Sequence, residues 1–165
     1  MINVETRLRR MNYSNGKCKV SNTCEINGID ENLSHLILTC RYNAKLWKMI
    51  GQVIRGSFGD QYLLGRFQKL CGVFEEDLQN DDLFIINMVM GMTRYHIYLM
   101  RNYTKHEGKQ VSFEESYIKL RCYITEHIKI LLLSKALKRE MKEKLNVTLV
   151  HISAIFRNGL SEQDV

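Results

Sequence analysis

Apolar residues recur at helical spacing through most of the chain and predict a mainly α protein. In the first half, one such stretch follows Asp30, and a second starts near Asn43 and ends at Gly56 and Gly59. Asp30 is placed to cap the first predicted helix, and the two glycines are typical of a helix end. The apolar positions of the two helices are Leu33, Leu36, Ile37 and Cys40, and then Leu46, Trp47, Ile50, Val53 and Ile54.

The second half is predicted to hold two longer helices. The first includes LFIINMVMGMTRYHIYLMRN after Asp81 or Asp82, and it is apolar nearly all round, which is typical of a helix inside a bundle. Ser112 and Glu115 form the capping-box pattern ahead of a long helix over 112–145. One face of that helix carries Tyr117, Leu120, Ile124, Ile128 and Leu131. The last stretch is predicted to add one strand or helical turn and a frayed end.

The charge pattern divides the chain into parts. Residues 1–23 hold five basic residues and one acid, whereas residues 70–90 hold five acids and no Lys or Arg. We therefore predict four parts, which are a basic lead-in and zinc-knuckle unit with its following helix (1–69), an acidic connector (70–82), a helical extension (83–146) and a tail (147–165). The expected architecture is a small knuckle, made of a loop and a helix, packed on or beside an α-helical bundle.

Composition limits the function classes. With 165 residues, 45% of them hydrophobic, the chain should bury a core but is too short for a polymerase-sized enzyme. The net charge of +6 favours anionic partners such as nucleic acid. The opening MINVETRLRR lacks the apolar run of a signal peptide, and polar residues interrupt the longest apolar stretch. We therefore expect an intracellular protein, cytoplasmic or nuclear, with no membrane partner.

Four side chains near the start of the chain could bind a metal ion. Cys18, Cys24, His35 and Cys40 lie within 23 residues, and three thiolates with one imidazole are a standard tetrahedral zinc set. His35 and Cys40 would lie roughly 140° apart on a regular helix, so Cys40 should sit where the helix ends. The pattern predicts one zinc ion per chain. The alternative is a set of buried, reduced thiols and a surface histidine.

The remaining cysteines, Cys71 and Cys122, each lie alone among apolar residues, and we expect them to be core thiols. No Gly-rich phosphate loop is present, and Cys122 and His127 have a spacing that does not suit a nucleophile pair. These patterns favour a protein that is not an enzyme and has no small-molecule substrate.

The segment ENLSHLILTCRYNAKLW resembles the zinc-binding segment at the C-terminus of LINE-type (non-LTR) retrotransposon reverse transcriptases. RLRRMNYSNGKCKV is similar to the lead-in of that family, and INMVMGMTRYHIYLMRN with SFEESYIKLRCYITEH is similar to its helical extension, so the resemblance covers about residues 7–135. The loops before the histidine are longer here than in the family. The resemblance implies zinc ligands at Cys18, Cys24, His35 and Cys40, with Trp47 packed behind them. Since the polymerase F/Y-x-D-D motif is absent, it implies a non-catalytic tail.

Two functions from different classes fit these patterns. The first is a zinc-dependent module that binds RNA or single-stranded DNA, with bases stacking on Tyr13 or Tyr42. Its phosphate contacts would come from Arg9, Arg10, Arg41, Lys45 and Lys48. The second is a metal-free helical scaffold or interaction domain, which would form a homodimer through 112–145 because the run IKILLL is too broad for a monomeric surface.

Overall fold

A computed structural model describes residues 32–72, 80–107 and 111–158 of the chain. These residues form a short π-helix followed by five α-helices and include no β-strand, which confirms the prediction of a mainly α protein. The elements are the π-helix His35–Thr39, α1 (Arg41–Phe58), α2 (Arg66–Cys71), α3 (Asn80–Glu107), α4 (Phe113–Leu133) and α5 (Arg139–Asn158). The predicted helix cap Asp30 and most of the acidic connector lie outside the described residues.

Helix α1 begins directly after Cys40 and ends at Gly59, which has a φ of +109°. Glycine adopts this conformation without steric cost, so Gly59 ends the helix as predicted. Gly56 does not end it, because the helix continues to Phe58. The predicted inner face of α1 is buried and consists of Leu46, Trp47, Ile50, Val53 and Ile54.

Helix α3 packs in the bundle through one side only, so its nearly continuous apolar character does not enclose it as predicted, and Phe84 and Tyr95 are 48% and 51% exposed. It starts at Asn80, and Asp81 and Asp82 lie in its first turn. Their negative charges interact favourably with the positive N-terminal end of the helix dipole. Its buried positions lie within about half of the helix circumference and include polar Thr93 and His96. The apolar ones are Ile85, Ile86, Val89, Met90, Met92 and Ile97.

Helix α4 begins as predicted but is shorter than expected. The Ser112 hydroxyl accepts a hydrogen bond from the Glu115 backbone N–H at 3.0 Å, which is half of the predicted capping box. The expected single helix over 112–145 is wrong, because α4 ends at Leu133 and a five-residue turn leads into α5. Ser134 stabilises this turn by accepting from the Ala136 N–H at 3.3 Å.

Helix α5 replaces the short strand or turn expected near the C-terminus. It runs across residue 147 to Asn158 and packs against α1 and α4. The Tyr117 hydroxyl of α4 donates to the Phe156 carbonyl of α5 at 2.5 Å, and the two rings stack with centroids 4.6 Å apart. A Cβ atom at Gly56 of α1 would lie 2.5 Å from the His151 ring, so the glycine permits the close approach of α1 and α5.

One hydrophobic core joins residues that were predicted to belong to separate units. It contains Trp47 and Ile50 of α1 together with Ile85 of α3, Ile124 of α4 and Ile152 of α5. Over the ranges described above, none of the helices has the length and apolar character that crossing a bilayer requires.

Candidate metal centre and basic helix face

The π-helix is a single wide turn that continues a helical start at Leu33 and Ser34, which the Asn32 side chain caps. The Asn32 side-chain oxygen accepts from the His35 backbone N–H at 2.8 Å, which is the bond that an N-cap residue makes. At the other end, the Cys40 N–H donates to the His35 carbonyl at 2.8 Å. This bond spans five residues, which defines the π geometry and distinguishes it from an α-helical turn.

Two side chains of α1 stabilise the wide turn. The Asn43 side-chain amide donates to the Leu36 carbonyl and the Trp47 indole N–H donates to the Ile37 carbonyl, both at 2.6 Å. The last carbonyls of any helix lack partners within the helix, and leaving them buried and unpaired is costly. Residues from the next helix therefore supply the donors. Trp47 is 2% exposed, so it lies behind this turn as predicted.

The wide turn joins the backbones of His35 and Cys40. In an α-helix a carbonyl accepts from the backbone N–H four positions on. Here the N–H of Cys40, five positions on, donates to the His35 carbonyl, so the backbones of the two residues meet across one turn. Cys40 also lies immediately after the last π-helical residue, as predicted, and both residues are buried, with exposed fractions of 4% for His35 and 3% for Cys40.

The His35 imidazole is satisfied on one side only. Its Nδ1 lies 3.1 Å from the Thr39 hydroxyl oxygen, whereas Nε2 is buried and has no hydrogen-bond partner. If Nδ1–H donates to Thr39, Nε2 carries the lone pair, which is the form in which histidine binds a metal ion. A buried polar nitrogen without a partner costs roughly 1–3 kcal/mol, and a bound ion would remove that cost.

Only half of the predicted ligand set can be located. Cys18 and Cys24 lie outside the described residues, and across 32–72, 80–107 and 111–158 no three His, Cys, Asp or Glu side chains converge as a metal site. His35 and Cys40 nevertheless fit zinc by ligand type, by the backbone hydrogen bond that joins the two buried residues and by the unpartnered Nε2. Neither Thr39 nor Asn43 was identified from the sequence. Thr39 lies four residues after His35, which is the spacing that could have indicated it.

Three of the predicted phosphate contacts lie along one exposed face of α1. Arg41, Lys45 and Lys48 are each exposed and follow the i, i+4, i+7 spacing of a helix stripe. We call these three residues the basic face. No acidic side chain in the described part of the chain forms an ion pair with any of them, and α1 contains no Asp or Glu. Arg9 and Arg10 lie outside the described residues.

One edge of the basic face packs against α4. The Lys45 ammonium lies 5.2 Å from the centre of the Phe113 ring, and the Tyr42 ring contacts the same phenylalanine edge-on at 5.6 Å. Tyr42 is therefore half-buried and contacts a protein ring, and its role in base stacking stays a prediction. Tyr13, the other, is outside the described residues.

Cys71 and Cys122 are exposed, so the prediction that both are core thiols is wrong. Cys71 is the last residue of the short helix α2, and Cys122 lies on the outer face of α4. Around Cys122 the helix turns Leu120 and Ile124 toward the core and leaves the cysteine outside. These two thiols are useful as controls for any measurement on Cys40.

Comparison with protein-family models, with curated proteins and with solved structures finds no match for this chain.

Proposed function

We propose that the chain is a zinc-binding, non-catalytic module that binds RNA or single-stranded DNA inside the cell, and that it derives from the C-terminal segment of a non-LTR retrotransposon reverse transcriptase. The observation that carries the proposal is the buried Nε2 of His35, which lacks a partner and belongs to a residue whose carbonyl accepts from the backbone N–H of the buried Cys40. Cys18 and Cys24 complete the proposed ligand set, and zinc holds the loop between them against this turn.

The position of the basic face supports a link between metal and nucleic acid. Arg41 directly follows Cys40, so a metal bound by Cys40 fixes the start of α1. That first turn contains no acidic residue and no side-chain cap, which leaves the positive end of the helix dipole beside Arg41. Phosphate groups would gain from both charges, and Lys45 and Lys48 extend the positive surface along α1.

Zinc content tests the first half of the proposal. We expect elemental analysis of the purified protein to find one zinc per chain after dialysis. His35→Ala and Cys40→Ser should each lower that content, while the matched control Cys71→Ser should retain it because its thiol is exposed and distant in sequence. Equal zinc content in all four proteins would contradict the proposed ligands.

The salt dependence of binding tests the second half. Each phosphate contact to a single strand adds about 0.7 to the slope of log affinity against log salt, so replacing Arg41, Lys45 and Lys48 by Gln should lower the slope by ~2. A matched triple variant, Lys129→Gln with Lys135→Gln and Lys138→Gln, removes the same charge from exposed sites elsewhere and should leave the slope nearly unchanged. Identical slopes for both variants would remove the basic face from the proposed site.

The alternative function, a metal-free helical scaffold, also has an observation in its favour. Helix α4 exposes Ile130 and Leu133 near its C-terminal end, with exposed fractions of 65% and 82%. Such side chains favour a protein partner. A zinc-free protein that binds RNA and DNA no better than a neutral control at low salt would support this function over the first.

A further inference from the structure

Helix α5 has apolar side chains on two opposite faces. The inner face packs in the core and includes Leu145, Ile152 and Phe156, each 0% exposed. On the outer face, Val147 and Val150 are 43% and 66% exposed, and Ala154 is exposed as well. A helix that only covers a core needs one apolar face, so the second one is unexplained by the fold of a single chain.

The outer residues form a regular stripe with opposite charges at its ends. Glu143, Val147, Val150, Ala154 and Arg157 follow steps of four, three, four and three residues, which is the spacing of the seam between two packed helices. We call these five residues the α5 stripe. Glu143 lies seven residues before Val150 and Arg157 lies seven residues after it, so the charges are symmetric about the central valine.

A shallow groove of about 450 Å³ runs beside the second half of the α5 stripe. Val150, Ala154 and Arg157 line it together with Leu149 and Ser153. Val150, Ser153 and Ala154 are small and would allow another helix to approach closely there, because short residues at a helix contact reduce the distance between the axes. The groove therefore fits a helix better than a bulky ligand.

We propose that the α5 stripe is a homodimer interface, in which α5 of two copies packs antiparallel about a two-fold axis at Val150. In this arrangement Val150 meets its own equivalent, and Glu143 of each copy faces Arg157 of the other, so two ion pairs form. A parallel arrangement would place Glu143 against Glu143 and Arg157 against Arg157. The charge pattern therefore favours a second copy of this chain as the partner. It also favours antiparallel packing of the two α5 helices.

The exposed apolar residues at the end of α4 do not offer such a match. Ile130 and Leu133 lie at one end of that helix and form no stripe along it. Glu143 also has a neighbour on its own helix, Arg139 at 2.8 Å, but that arginine side chain is 91% exposed and leaves the carboxylate accessible. The proposed interface on α5 is not the one expected from the sequence, which was a homodimer through 112–145.

Sedimentation equilibrium over a concentration series measures the proposed dimer. Val150→Asp places two carboxylates at the axis and should weaken dimerisation by at least about tenfold. Ile130→Asp is the matched control, since it adds the same charge at a site of nearly equal exposure on α4. It should leave the dimer constant unchanged. Circular dichroism establishes that both variants remain helical, as expected for exposed positions.

Charge reversal tests the register independently. Glu143→Arg and Arg157→Glu should each weaken the dimer, and the double variant should restore it, because every cross-axis pair again joins opposite charges. Arg139→Gln controls for loss of the pair within α5 and should have little effect. A wild-type chain that stays monomeric throughout the series, or a dimer that Ile130→Asp disrupts and Val150→Asp does not, would overturn the proposal.

Discussion

Two buried histidines, one in the π-helix and one in the bundle, differ in whether the imidazole Nε2 has a hydrogen-bond partner. His35 is 4% exposed and His96 is 3% exposed. The Nε2 of His96 lies 2.9 Å from the Ser116 hydroxyl, whereas the Nε2 of His35 has no partner. The bundle therefore satisfies its buried imidazole within the protein, and the π-helix leaves one nitrogen open. This difference is the reason to place a ligand site at the π-helix.

Removing the proposed zinc ion should produce the largest difference between the two regions. Structural zinc contributes on the order of 10 kcal/mol to small sites, whereas the bundle has its own buried apolar core. Hydrogen exchange after chelation should therefore speed up over residues 33–42 and stay slow over 85–97. If chelation unfolded the whole chain, or changed exchange in neither range, the two regions would not be separable in this way.

Two aromatic donors give a second comparison. The Trp47 indole N–H donates a hydrogen bond to the Ile37 carbonyl of the π-helix. The Tyr117 hydroxyl donates one to the Phe156 carbonyl of α5. Trp47→Phe removes a hydrogen bond and leaves a cavity, so we expect a loss of about 3 kcal/mol in the free energy of unfolding. Tyr117→Phe removes the hydrogen bond alone and should cost about 1–2 kcal/mol.

Denaturant titrations of both variants measure these losses, and zinc content separates them further. Trp47→Phe should also lower zinc occupancy, because Ile37 lies within the turn that carries His35. Tyr117→Phe should leave zinc unchanged and serves as the control. A normal zinc content in Trp47→Phe would contradict the view that α1 shapes the metal turn.

The protonation of His96 gives a third comparison. Burial lowers the pKa of His96 to about 4, with a smaller lowering from Lys119 and an opposing effect of the Ser116 hydrogen bond. The unfolded chain takes up this proton near pH 6.5 and the folded chain near pH 4, so stability falls as the pH drops through that window. Between pH 7 and pH 5 the loss should be about 2 kcal/mol.

Thermal or denaturant unfolding of wild type and His96→Gln at several pH values isolates this effect. Both proteins share the titration of their carboxylates, so the difference between their pH profiles reports His96 alone. The variant should lose stability at pH 7 but show a flatter profile between pH 6.5 and pH 4. Parallel profiles would mean that His96 is not the group that titrates.

The sequence was sufficient for elements whose pattern is local. Helical spacing predicted the inner face of α1, and the residue types alone predicted the Ser112 cap. The end of α1 at Gly59 was also a local signal, because glycine suits the positive φ found there.

The features that the sequence did not reveal depend on contacts between distant elements. The π-turn exists because Asn43 and Trp47 of α1 donate to its carbonyls, which no pattern within 33–40 indicates. Residues 134–138 contain no Pro or Gly, yet the chain turns there so that α5 can pack on α1. Gly56 is present because α5 approaches α1 closely at that position, whereas the sequence pattern alone predicts a helix end there.

The smallest expected effect concerns Thr39, which separates metal binding from folding. Its hydroxyl lies 3.1 Å from the His35 Nδ1, on the exposed side of the turn, and such outer partners fix the orientation of a metal-binding imidazole. Thr39→Val keeps the shape of the side chain but cannot accept a hydrogen bond. We expect zinc affinity, measured by competition with a chromogenic chelator, to fall by about tenfold.

Ser116→Ala removes the corresponding partner of His96 and should leave zinc affinity unchanged, because that imidazole lies in the bundle. If Thr39→Val lowered the free energy of unfolding but not zinc affinity, the hydroxyl would serve only to satisfy a buried histidine, and the two regions would no longer differ.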